Sequence, residues 1–287
     1  MGRPPAAGED LTAMAALTIH PLNCATMCPH GAVRTGIIDR DPGRIVTTCL
    51  LIEAPDGLIL IDTGFGAADI ADRSRLGAVS RLLNPALDPA ETAVAQVRAL
   101  GHDPADVRRI LVTHLDLDHA GGLGDFPSAT VHVHRAELRD ALHPDWLTST
   151  RYRSSHWAHG PDWAEHATDG ESWNGFAAVR PLEGAPVDIA MIALHGHTRG
   201  HTGFAIDTGD GWLLHAGDCY LHHDEIATPP RTNRARRFYH RVNSIDERTR
   251  RENAGRLAEL ACEHRDDVTI VCSHDAREHA GLCERLG

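Results

Sequence analysis

The sequence predicts an α/β fold in which several strands end in histidine and aspartate. Ile110–Thr113 is an unbroken apolar and β-branched run, read as a buried strand, and it passes directly into His114, Asp116, Asp118 and His119, then Ala120-Gly121-Gly122. Two later apolar runs, Trp212–Leu214 and Val268–Cys272, finish the same way, in His215 with Asp218 and in His274 with Asp275. A fourth segment, HGHTRGH, adds His195, His197 and His201. Helical patterns alternate with the strand signals in both halves of the chain, as in an α/β protein.

The elements follow in order. Thr18–Thr26 begins the fold. Ile45–Glu53 and Leu58–Asp62 flank Ala54-Pro55-Asp56-Gly57, a turn sequence between apolar runs, so a hairpin is expected. Ala67–Leu83 reads as helix or loop. Pro89–Leu100 reads as a helix with Asp88 as its cap, Pro89 at its first position and Gly101 as its stop. Val107–Thr113 is the strand that enters the His/Asp loop. Ala129–His134 alternates as a strand, which makes His132 and His134 partly exposed strand residues rather than ligands. Ala136–Leu142 is a short helix. In the second half Val187–Leu194, Thr202–Asp207 and Trp212–His215 are strands. Leu221–Val242, with five arginines, reads as a solvated loop. Ser244–His264 is a helix capped by Ser244 with Glu247 three residues on, and Val268–Cys272 is the last strand.

From about residue 143 to 180 periodicity is lost. This stretch holds Trp146, Trp157, Trp163 and Trp173, four of the five tryptophans, and reads as an aromatic insert lying over a site as a lid. Trp146 and Trp157 are its candidate substrate-binding residues. The domain expectation is a loose tail over 1–17 and a single domain over 18–287.

Composition narrows the function. A net charge of −12 argues against general nucleic-acid binding, and every basic residue other than histidine is arginine. No apolar run approaches the roughly 20 residues of a membrane span. The opening residues make a poor signal peptide, and seven scattered cysteines suggest reduced thiols, so a cytoplasmic location is expected. A small-molecule substrate and a homodimer are the partner expectations.

The 21 histidines make any one strand-end pairing weak, but four such segments together predict one convergent metal site. Imidazole nitrogen and carboxylate oxygen are the donors that zinc, iron and manganese share. With His114-Leu115-Asp116-Leu117-Asp118-His119, Gly196-His197-Thr198-Arg199-Gly200-His201, Gly217-Asp218, Ser273-His274 and the early Leu60-Ile61-Asp62-Thr63-Gly64 in that order, the chain resembles the metallo-β-lactamase fold superfamily. The resemblance covers about Ile45 to Cys272 or slightly beyond. It implies a four-layer αββα sandwich with two divalent metals at the shared edge. It further implies that His114, residue 116 and His201 hold the first metal, that Asp118, His119 and His274 hold the second, and that Asp218 bridges. Asp62 would lie beneath the metal loop and orient it.

One position departs from the family. Its second histidine is Asp116 here, a harder ligand that shifts the first site from zinc toward iron or manganese and resembles the diiron branch, where a Glu stands. Two metals, with zinc as the default, remain the expectation; the alternative is that Asp116 turns away and leaves one strong and one weak site.

The expected chemistry is hydrolysis of a small ester, lactone or amide by a metal-bound hydroxide. Asp118 would take a proton and Tyr220 would donate a hydrogen bond to the developing oxyanion. Lactonases of the superfamily use a Tyr near the bridging Asp, one residue further along than here. The competing expectations are a non-catalytic member, a diiron redox member and a small phosphodiester hydrolase.

Overall fold

The computed structural model describes residues 17–182 and 187–287. Apart from Leu17, the expected N-terminal tail lies outside the described residues. Among the described residues twelve strands form two six-stranded sheets. The first runs in chain order: β1 Thr18–Asn23, β2 Thr48–Ala54, β3 Gly57–Ile61, β4 Val107–Leu111, β5 Thr130–His134 and β6 Asp162–His166. The second holds β7 Glu171–Trp173, β8 Phe176–Val179, β9 Ile189–Ala193, β10 Thr202–Asp207, β11 Trp212–His215 and β12 Val268–Val271, again neighbour to neighbour, with β12 and β7 at its edges.

A long connection with a short helix makes β1–β2 antiparallel, a hairpin makes β2–β3 antiparallel, and crossovers through helical segments make β3–β4–β5 parallel. Parallel strands covered on both faces need continuous apolar sequence, and LILI of β3 is buried throughout. Three packed layers of side chains follow. Ile19, Leu50, Ile52, Ile59 and Leu111 of the first sheet meet Ile189, Met191, Phe204, Ile206 and Val271 of the second, so the two sheets face each other. On the outer side of the first sheet Val94, Val97, Leu138 and Ala141 come from helices. On the outer side of the second, Ala254, Leu257, Ala258 and Leu260 come from the helix Glu247–Glu263. The order is helix, sheet, sheet, helix, the four-layer sandwich the resemblance implies.

Several elements differ from the sequence expectation. The stretch 143–180 is not one irregular insert: β6 closes the first sheet, and β7 and β8 open the second, so only the part before Asp162 is free of strands. Strands with three to five residues show too few alternations to be read. The expected helix Ser244–His264 is Glu247–Glu263, capped by Asp246, whose carboxylate accepts from the Thr249 N–H. Ser244 instead ends a separate helix, Arg234–Asn243, which falls where a loop was expected. Its buried Arg236 donates to the Ile37 carbonyl at 2.9 Å. His132 and His134 are buried, not partly exposed. No described helix is long and apolar enough to cross a membrane.

Candidate metal centre

The His/Asp loops meet at one edge of the sandwich. His114, Asp116, Asp118 and His119 leave the end of β4, His197 sits in the loop between β9 and β10, and Asp218 and His274 follow β11 and β12. Ligand atoms of His114, His197 and Asp218 lie within 4.8 Å of one another, and so do those of Asp118, His119 and His274. Asp218 stands between the groups: one oxygen is 3.1 Å from His274 Nε2, 3.5 Å from His197 Nε2 and 4.0 Å from His114 Nε2, and the other is 3.4 Å from His119 Nε2.

Hydrogen bonds behind the imidazoles fix which nitrogen is free. His119 Nδ1 donates to Asp62 at 2.9 Å and His274 Nδ1 to the Val46 carbonyl at 2.6 Å. Thr113 gives its hydroxyl proton to Asp62, so its oxygen accepts from His114 Nδ1 at 2.9 Å. All three rings thus turn an Nε2 lone pair inward, the arrangement that outer partners impose on metal-binding histidines. His114 Nε2, His119 Nε2 and Asp218 Oδ1 are buried and have no hydrogen-bond partner. Buried polar atoms are rarely left so, and a divalent cation beside His119 would satisfy both its Nε2 and Asp218 Oδ1.

The charges agree with that fit. Burial alone would lower the pKa of His119, but Asp218, Asp118 and Asp62 outweigh it and raise it to about 10; His274 is raised to about 9 by Asp218 and Asp118 against the same burial. Burial opposes an ionised Asp218, yet His274, His119 and His197 hold its carboxyl well below the usual range. The carboxylates therefore favour positive charge here.

Asp62 is the keystone beneath the loop. It sits at φ 57°, a left-handed conformation that Asp tolerates better than most residues. Its carboxylate accepts from Thr113 N–H, Thr113 Oγ1 and His119 Nδ1. Asp62→Ala is expected to weaken metal retention by roughly 10- to 100-fold, read by chelator competition, because His119 loses its orientation and its proton partner.

Four site expectations are corrected by the geometry. His201 does not enter the cluster: its Nδ1 donates to the Leu194 carbonyl and its Nε2 accepts from the Asp218 N–H at 2.8 Å, so it props the backbone of Asp218 and has no lone pair to spare. His197, four residues earlier, stands there instead. Asp116 faces the centre, but both its oxygens are bound by Arg151, at 2.5 Å from Nε and 2.6 Å from a terminal nitrogen. Tyr220 is buried away from the cleft with its hydroxyl on Glu278 at 2.9 and 3.0 Å. The tryptophans divide: Trp157 is buried in the outer core of the first sheet, and Trp146 is 83% exposed and does not line the cleft.

Asp116, Asp118, Asp218, His197 and His274 floor a cleft of about 320 Å³. Its apolar lining comes from Val79, Leu83, Leu117, Leu147, Val242 and Ile245. Tyr239, on the helix Arg234–Asn243, also lines it, and its hydroxyl makes no hydrogen bond among the described residues. Burial and the carboxylates of Asp218 and Asp118 keep that phenol protonated. Glu137 is fully buried behind the site and accepts from Leu115 N–H, Tyr152 OH, Thr198 Oγ1 and Gly200 N–H, tying the metal loop to the His197 loop.

Sequence reading missed His197 as a ligand, and Arg151, Tyr239 and Glu137 altogether. A signal existed for His197: Thr202 opens β10, so His201 is anchored at a strand start, whereas His197 lies in the free part of the loop. The other three act between distant parts of the chain, Arg151 on Asp116 across 35 residues and Glu137 on Leu115 and Thr198 across 22 and 61, where local pattern carries nothing.

A profile of the metallo-beta-lactamase superfamily matches residues 42–274. The chain is 41% identical over 258 residues to a probable metallo-hydrolase of Mycobacterium tuberculosis, covering 90% of this chain and 80% of the relative. It is 44% identical over 104 residues to an N-acyl homoserine lactonase of Rhizobium johnstonii, covering 36% and 39%. A solved N-acyl homoserine lactone hydrolase with the product N-hexanoyl-L-homoserine at its catalytic metal centre has the same fold, with a TM-score of 0.67 at 21% identity over 93% of this chain and 95% of that one.

Proposed function

From the premise that the chain belongs to the metallo-beta-lactamase superfamily and is a metallo-hydrolase, we propose that it opens small lactones or esters that carry an apolar acyl group. The observation that carries this reading is the cleft, in which clustered imidazoles and carboxylates share one lining with six apolar side chains. The relatives named as N-acyl homoserine lactonases support it.

Divalent cations at the floor would supply a Lewis acid and an acidified water. The chain's own groups do the rest. Asp118, with an oxygen 3.6 Å from His274 Nε2, accepts the proton released when water adds to the carbonyl. Tyr239, held protonated, donates its O–H to the carbonyl oxygen as that oxygen gains charge. Leu117, Leu147, Val242 and Ile245 take the acyl chain out of water, which orients the carbonyl over the floor.

Hydrolysis of acyl homoserine lactones with six- to ten-carbon chains (roughly the length a cleft of this size accepts) is to be followed by proton release at constant pH. Turnover that rises with chain length supports the proposal; turnover of phosphodiesters but of no lactone or ester would overturn it. Tyr239→Phe is expected to lower kcat by roughly 10²-fold with KM little changed, while Tyr220→Phe leaves KM and kcat near their starting values; steady-state kinetics of the pair decide between the two tyrosines.

A further inference from the structure

We propose that the guanidinium of Arg151 takes the place of a divalent ion on one side of this centre, leaving a site that holds a single metal tightly at Asp118, His119, His274 and Asp218. The inference rests on the metallo-hydrolase reading above and deepens it.

The two sides of the centre are not equivalent. On the His114 side, Arg151 satisfies Asp116 twice, at 2.5 and 2.6 Å, and the same terminal nitrogen lies 2.5 Å from His197 Nε2. Its other terminal nitrogen donates to the Asn243 carbonyl at 2.9 Å. One planar cation thus occupies a carboxylate and an imidazole that a metal would need, in the bidentate geometry that makes arginine–carboxylate pairs strong. His114 is left with an already paired Asp116 oxygen 3.3 Å away and Asp218 at 4.0 Å. On the other side, no arginine pairs with Asp118 or Asp218 among the described residues, and His119 Nε2 and Asp218 Oδ1 have no partner; His114 Nε2 is unpartnered too, but the Asp116 and His197 atoms beside it are already held by Arg151.

Charge points the same way. Asp116, Asp118 and Asp218 against one guanidinium leave two negative charges when the imidazoles are neutral, and Asp62 behind His119 adds a third, so one divalent ion removes most of the excess. A second ion would have to break the Asp116–Arg151 pair, strip His197 and sit beside a permanent cation, in a place largely shut off from water (the Asp116 and Arg151 side chains are 15% and 16% exposed). The carboxylate at 116 and the arginine at 151 are therefore a matched pair: the aspartate in the histidine's position is neutralised by an arginine from the segment above the cleft.

The test is metal stoichiometry. Protein purified without chelator is analysed for elemental metal, and metal-free protein is titrated with Co(II) and followed by visible absorption. The native chain is expected to take up one equivalent tightly. Arg151→Ala frees Asp116 and His197, so a second equivalent is expected to bind roughly 10- to 100-fold tighter than in the native chain. Arg151→Gln keeps a donor toward Asn243 and is measured alongside, so that a folding defect in the alanine variant does not decide the matter. Two equivalents of similar affinity in the native chain would overturn this inference and leave the hydrolase reading intact, as would variants that bind no more than the native chain. A native chain that binds no metal would defeat the hydrolase reading itself.

Discussion

Asp218→Asn is expected to abolish metal retention and to lower kcat/KM for any substrate by at least about 10³-fold, near 4 kcal/mol of transition-state stabilisation. The Asp218 carboxylate lies within 4.0 Å of four imidazoles, and its Oδ1 has no hydrogen-bond partner among the described residues. Asparagine keeps the shape and removes the charge, so the four rings would face an amide that donates as well as accepts. The backbone around the position needs no side chain to hold it. Gly217 carries φ 55°, and a Cβ there would meet His201 Nε2 at 2.5 Å, while the Asp218 N–H is fixed on that same nitrogen. The variant is therefore expected to fold, and the loss to be chemical. Elemental analysis and a thermal scan of the two proteins check this: native protein should lose Tm when chelated, by the linkage of a folded-state ligand, and Asp218→Asn should show no further change. Full metal content in the variant would remove Asp218 from its central place.

Much of the architecture is legible in the sequence because its strands are buried on both faces and its ligands sit where strands stop. LILID and ILVTH announce both a strand and its end, and a metal loop attached to a strand end has little freedom left. That locality explains how His114, Asp118, His119, Asp218 and His274 could be picked from pattern and then found together. The misreadings have a different physical origin. His201 and His197 both belong to HGHTRGH, and in the sequence only the strand start at Thr202 tells them apart, while in the structure the hydrogen bond from the Asp218 backbone decides it. Asp116 reads as a ligand until Arg151, 35 residues on, is seen across it. Tyr220 is adjacent to the Asp218 loop in sequence, yet the chain turns its ring inward to Glu278, and Tyr239 arrives from a helix hidden in an arginine-rich stretch. The tryptophans divide for the same reason: Trp173 packs edge-on against Trp212 at 5.5 Å in the second sheet's outer core, Trp157 is buried in that of the first, and neither lines the cleft.

Glu137→Ala is expected to cost about 3–5 kcal/mol of stability, a fall in Tm of roughly 6–15 °C. The side chain is fully buried, and four donors converge on it: Leu115 N–H at 2.9 Å, Thr198 Oγ1 at 2.6 Å, Tyr152 OH at 3.1 Å and Gly200 N–H at 3.3 Å. Truncation strands all of them in a closed pocket, each at about 1–3 kcal/mol, with partial relief from relaxation. The position is also crowded: a Cβ on Gly200 would lie 2.2 Å from the Glu137 nitrogen, so the His197 loop rests directly on this residue. Burial, the largest influence, raises the carboxyl's pKa, and the neighbouring charge of Asp116 adds to it, against His114 and the bonds from Thr198 and Leu115. An acid whose folded pKa is raised favours folding most when protonated, so this residue's contribution falls as pH rises through its folded value. Glu137→Gln keeps two of the acceptor contacts without the charge and is expected to unfold between the native and alanine proteins, with a flatter dependence of Tm on pH at its acidic end. The same change bears on the site. Leu115 adjoins His114, Thr198 adjoins His197 and Tyr152 adjoins Arg151, so one carboxylate sets the spacing of the three side chains that form the asymmetric side of the centre. A Glu137→Gln protein that folds but takes up a second Co(II) equivalent would tie that spacing to Glu137; one that folds with native stoichiometry and native Tm would show that the loops are held elsewhere.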